Sequence, residues 1–139
     1  MEQVTEPSLA LQIAVRARLI SVPAVTALVP AERIFDRNTR PTDFPCIIIG
    51  DGQTVLEGFS YSVRSVRVYL DLHIWANETG TENAKTIAGR AFDALAVEPI
   101  VPGFMVNMFR ATGIRTMRDP SGEHSHSILS VEAVLGEVL

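Results

Sequence analysis

A chain of 139 residues with net charge −4, a pI near 5.3 and 47% apolar residues has the length and apolar content for one packed core. These values exclude a wholly disordered chain, and they argue against a protein that grips nucleic acid, which needs clustered Lys and Arg. Mild acidity does suit a wall past which DNA slides, because it repels phosphate.

Residues 1–7 are polar and acidic, with no basic signal region, and read as a flexible opening. Ser8 is placed to cap a first helix that runs to Ile20. Its apolar stripe is Leu11, Val15 and Leu19, with Leu9 and Ile13 beside it. Pro23 starts a short second helix, residues 24–28, which Pro30 ends. Residues 33–36 form a short extended piece. After a loop with two prolines, residues 46–50 read as a buried strand, since Ile47, Ile48 and Ile49 are consecutive and β-branched. Cys46, the only cysteine, reads as a small buried residue opening that strand; one cysteine permits neither a disulfide framework nor a cysteine zinc site.

Gly50, Asp51 and Gly52 break or bulge the strand, and residues 54–64 read as a mobile arm with weak strand character. Residues 65–75 give the clearest strand. Val66, Val68, Leu70, Leu72 and Ile74 share one face; Arg67, Tyr69, Asp71, His73 and Trp75 share the other. Thr79 and Glu82 read as a capping box for a helix to Ala96, with Ala84, Ile87, Ala88, Ala91, Phe92 and Leu95 on its buried stripe. Residues 104–117 and 124–138 form two long strands. They are joined by the turn Asp119-Pro120-Ser121-Gly122 in an antiparallel hairpin. The expected fold is α+β: two layers, an antiparallel sheet of about four strands, helices on one face, in the order α-β-β-α-β-β.

Catalytic signatures are sparse. His124 and His126 lie on one strand face, and a metal site would need His73 or Asp71 from a neighbouring strand. There is no nucleophile elbow and no phosphate loop. No catalytic, cofactor-binding or metal-ligating residue is expected. The candidate subunit or partner interface is Arg64, Arg67, Tyr69, Trp75, Arg115 and Arg118. Trp75 also fits simple packing over a nearby loop or the start of the capped helix; as an exposed anchor, Trp75 with Tyr69 would concentrate binding energy. The arginines suit a solvated face or pairing with carboxylates of a neighbouring subunit.

Several pieces, in order, carry a resemblance: the amphipathic first helix, the segment from Pro23 to Val29, Arg33-Ile34-Phe35-Asp36, and Phe44-Pro45-Cys46-Ile47-Ile48-Ile49-Gly50. The rest are Leu72-His73-Ile74-Trp75-Ala76, Glu82-Asn83-Ala84-Lys85, Arg118-Asp119-Pro120-Ser121-Gly122 and His124-Ser125-His126. Taken together the chain resembles the tail-completion, or tail terminator, family of long-tailed phages and gene transfer agents. Cys46 departs from the aromatic that this family often places after Phe-Pro.

The resemblance implies a homo-oligomeric ring, usually a hexamer, at the head-proximal end of the tail tube. Its implied partners are the tail tube protein and a head-closure or connector protein. DNA would cross its bore without sequence-specific binding, and acidic residues are expected to dominate that bore. No membrane and no cofactor are implied. The chain is expected to be soluble, assembled in the host cytoplasm and resident in the virion. The competing expectations are a head-closure or tail-tube protein and, in another class, a small cytoplasmic ligand-binding or enzymatic α+β domain.

Overall fold

The computed structural model describes residues 4–37, 40–60 and 62–138. In chain order these form α1 (Pro7–Ile20), α2 (Pro23–Thr26), a 3₁₀ turn (Ala31–Arg33) and β1 (Ile34–Phe35). Then come β2 (Cys46–Phe59), β3 (Val63–Asn77), α3 (Glu82–Ala94), β4 (Met105–Arg118) and β5 (His124–Val138). The strands make one sheet in the order β1-β2-β3-β5-β4. All neighbours are antiparallel except β1, which runs parallel to β2. The α+β reading holds, with corrections to the strand count, to the element order, which is α-α-β-β-β-α-β-β, and to the all-antiparallel sheet, since β1 is parallel. The sheet has five strands because Ile34 and Phe35 pair with Ile47 and Ile48.

Burial follows from periodicity. On β3, Val66, Val68, Leu70, Leu72 and Ile74 are buried, and on β5 Leu129, Val131, Ala133 and Leu135 continue the same layer. Above them lie Leu11, Val15 and Leu19 of α1 with Ile87, Ala88 and Ala91 of α3. The alanines of α3 let the helix backbone come close to the sheet. Phe92, expected on the stripe, lies 37% exposed, since one step past Ala91 turns a side chain by about 100° around the helix.

Both major helices are capped by residues other than those expected. Glu6, not Ser8, caps α1: its carboxylate accepts from the Ser8 and Leu9 backbone N–H groups. Pro7 occupies the first helical turn, which moves the start upstream of Ser8, and a carboxylate there also meets the positive end of the helix. Residues 1–3 of the expected flexible opening lie outside the described residues. At α3, Glu78 accepts from the Asn83 and Ala84 N–H groups, both at 3.0 Å, and takes the place of the Thr79–Glu82 box. It also accepts from Ser125 of β5, which ties the helix start to the sheet.

The larger correction concerns the arm. Residues 54–59 belong to β2, paired from Thr54↔Val68 to Phe59↔Arg64. A strand forms there because β3 presents a continuous partner, and glycines fall where the ladder shifts. Pairing shifts between Ile49 and Asp51 and again between Leu56 and Gly58. At Gly50 a Cβ would stand 2.6 Å from Asp36 Oδ1, so the first bulge leaves no room for a side chain. Of the expected arm, Tyr61 lies outside the described residues. The last hairpin closes as expected, with Gly122 at φ +74 donating its N–H to the Asp119 carbonyl at 2.9 Å.

Leu72 is fully buried between the helices and the sheet. Leu72→Ala should therefore destabilise the fold by about 2–5 kcal/mol, read as a lower midpoint in denaturant unfolding with an unchanged slope.

Candidate functional site

The helices cover one face of the sheet and leave the other bare. By alternation the bare face carries Arg67, Tyr69, Asp71, His73 and Trp75 of β3, with His126, Ile128, Ser130 and Glu132 of β5. From the flanking strands come Asp51 and Gln53 on β2 and Arg110 and Arg115 on β4.

Two polar runs cross this face. In the first, Arg67 bridges Glu57 at 2.8 Å and Glu132. Glu57 foremost, and then Glu132, push the Arg67 pKa further up. Arg110 approaches the second oxygen of Glu132 at 3.5 Å. The result is a charge ladder across four strands.

In the second run, Asp51 Oδ2 lies 3.0 Å from His73 Nε2, and His73 Nδ1 lies 2.9 Å from His126 Nε2. The carboxylate places the proton on His73 Nε2, so Nδ1 accepts from His126. His126 then stacks on Trp75, with ring centroids 3.9 Å apart and planes 9° apart. Burial first, and then the charge of His73, push the His126 pKa down to about 4.

This arrangement engages both His73 nitrogens and Nε2 of His126 in hydrogen bonds. Among the described residues, no group of three or more His, Cys, Asp and Glu is placed to hold a metal ion. His124 packs against Phe44, with centroids 4.5 Å apart. A hollow of about 320 Å³ near the start of α3 is lined by Leu28, Phe44, Pro45, Ala76 and Ile87, with Asn77, Asn83 and Thr86. None of these titrates at ordinary pH, so the hollow offers no acid–base pair.

The six expected interface residues divide by location. Arg64 is committed to Glu137 and Arg67 to Glu57 and Glu132, both within the chain. Tyr69 is 42% exposed on the bare face. Trp75 is half-buried and stacks on His126. Its Nε1 has no hydrogen-bond partner among the described residues. Arg115 and Arg118 are exposed on β4. Sequence reasoning missed Glu57, Glu132 and Glu137 as the partners of these arginines. Those pairings depend on cross-strand register, and the alternation within one strand cannot supply it.

The fold is thus a small α+β domain whose bare sheet face carries polar groups that largely pair with one another. The sequence pattern of the tail completion protein gp17 family matches residues 13–136, and the chain belongs to that family. No curated protein matches it. Among solved structures, it is similar to a chain in the virion of a native gene transfer agent particle, at 17% identity and TM-score 0.81, covering 93% of this chain and 96% of that one. It is also similar to the bacteriophage SPP1 gp17 protein, at 23% identity and TM-score 0.59, covering 91% of this chain and 89% of that one. At these identities the likeness is one of fold.

Cys46 is buried, and its thiol is pushed up to about 11 by burial and by the nearby charge of Asp43. Thiol reagents at neutral pH should therefore label the native protein far more slowly than the unfolded chain, as followed by mass spectrometry. The histidine run gives a pH dependence. With the His126 pKa lowered from 6.5 to about 4 on folding, the unfolded chain binds more protons between those values. Stability should therefore fall as the pH drops from about 6.5 to 4, and His126→Gln should flatten that decline, measured as denaturant midpoints across the range.

Proposed function

We propose that this tail completion protein is a tail terminator. In this reading its copies form a ring, a hexamer by analogy with the family, at the head-proximal end of the tail tube. The ring stops tube polymerisation and presents a docking surface to a head-closure or connector protein on the DNA-filled head. The family match over residues 13–136 carries the reading, supported by a fold shared with a chain of a gene transfer agent virion. The proposed role needs no catalytic residue and no cofactor. Its place is the virion, at the junction of head and tail, after assembly in the host cytoplasm.

The bare face suits the passage of DNA. It offers Asp51, Glu57, Asp71 and Glu132 against Arg67, Arg110 and Arg115, so a bore lined by it is close to neutral with a slight acidic excess. Two of those guanidiniums, Arg67 and Arg110, already sit against carboxylates, which leaves little to hold a phosphate backbone.

One observation favours a second reading as a tail-tube subunit. The β2–β3 hairpin extends beyond the helical layer, with Leu56 61% and Phe59 69% exposed, and could serve as an arm between stacked rings. Gene inactivation separates the two. A terminator's loss should leave overlong tails without attached heads, seen by negative-stain microscopy, and a tube subunit's loss should leave no tubes. Headless tails of normal length would instead assign the chain to head closure.

A further inference from the structure

We propose that copies of this chain join edge to edge: β4 of one copy pairs antiparallel with the free half of β2, residues 51–59, of the next. The proposal rests on the ring reading above and names the surfaces that would close it.

Both edges are open. β4 ends the sheet with no strand beyond it among the described residues, and β1 covers β2 only at Ile47 and Ile48. Strand direction alternates through β2, β3, β5 and β4. Upright copies arranged around an axis therefore bring β4 against the next β2 antiparallel, and the alternation continues unbroken. The two edges differ, as a closed ring requires: each join is heterologous, and rotation brings the same pair of edges together at every step.

Their charges are complementary. β4 carries Arg110, Arg115 and Arg118 and no carboxylate, and residues 51–59 carry Asp51 and Glu57 and no cation. The edges also lie level. Asp51 pairs with Asp71, Asp71 with Ser130, and Ser130 with Gly113, so Asp51 and Gly113 end the same row on opposite sides of the sheet. Arg110 and Arg115 flank Gly113 on the bare face. A shallow hollow adjoins each edge, one lined by Asp51, Gly52 and Gln53, the other by Thr112, Gly113 and Arg115.

Ring closure tilts strands and staggers the join by several residues. Three arginines spread over residues 110–118 keep a cation near Asp51 across such a stagger. Exposed apolar side chains accompany the charges: Val55 and Leu56 on one edge, Met105 and Ile114 on the other. Bulges interrupt both strands, which discourages indiscriminate pairing. Uninterrupted runs remain at residues 51–56 and 113–118.

Reciprocal charge reversal in the full-length protein tests this, scored as incorporation into particles whose own copy of the gene is inactivated. Asp51→Lys with Gln53→Lys reverses the β2 edge, and Arg115→Glu with Arg118→Glu reverses the β4 edge. Circular dichroism melts first establish that each variant folds. Each one-edge variant should lose incorporation by about tenfold or more, because like charges then face each other at every join. The variant carrying both reversals should recover it. Normal incorporation of both one-edge variants, or failure of the folded double-edge variant to recover, overturns the proposal.

Should a one-edge variant not fold, Gln53→Cys with Arg115→Cys, bridged in assembled particles by a bis-maleimide, replaces it. Covalent oligomers support the join and a purely monomeric product overturns it. Overlong tails on gene loss together with normal incorporation of the edge variants would remove the edge proposal and leave the ring. Tails of normal length on gene loss would remove the ring reading itself.

Discussion

One constraint shapes this molecule: the sheet is covered by helices on one side only. Leu11, Val15 and Leu19 of α1 and the alanine-rich face of α3 bury the alternate residues of β3 and β5. Hydrophobic burial on that side stabilises the fold, and it needs nothing from the opposite face. The bare side is therefore free to carry charges, imidazoles and an indole without weakening the core. The caps serve the same layer, since Glu6 reaches Thr54 and Glu78 reaches Ser125, each tying a helix start to a strand.

On the bare side the polar groups largely satisfy one another. Arg67 is held by two carboxylates, Asp71 accepts from Ser130 at 2.9 Å, and His73 lies between Asp51 and His126. Such pairs add modestly to stability, yet they fix side chains before any partner arrives. A surface fixed in this way suits repeated, identical contacts in an assembly better than it suits capture of varied small molecules. Tail completion proteins act as parts of a particle, and the chemistry of this face is consistent with that setting.

Much of the fold was legible in the sequence because the signals were periodic. The alternation from Val66 to Ile74 and the four-residue spacing of Leu11, Val15 and Leu19 located the core strand and helix, and Pro120 with Gly122 located the last turn. What the sequence hid was relational. Residues 54–59 looked like a loose arm because their glycines and serines resemble a loop; their strand character depends on pairing with β3. The caps were misplaced for a similar reason. Ser8 and Thr79 are common cap types, but Glu6 and Glu78 were better positioned once Pro7 and the chain path were set. Tyr69 and Trp75 were identified correctly as bare-face residues. Their surroundings, and the salt bridges that occupy Arg64 and Arg67, required the register of three strands.

The end of the β2–β3 hairpin is, in mechanical terms, a cantilever. Its tip is held by the backbone ladders on both sides of β3, by Arg67 gripping Glu57 and by Arg64 gripping Glu137. Ion pairs so near solvent weaken as salt rises, whereas the buried layer hardly responds. The stiffness of this end thus responds in part to the surrounding electrolyte, whereas the shape of the body is set by its oil, so the two halves of one sheet answer to different features of their environment.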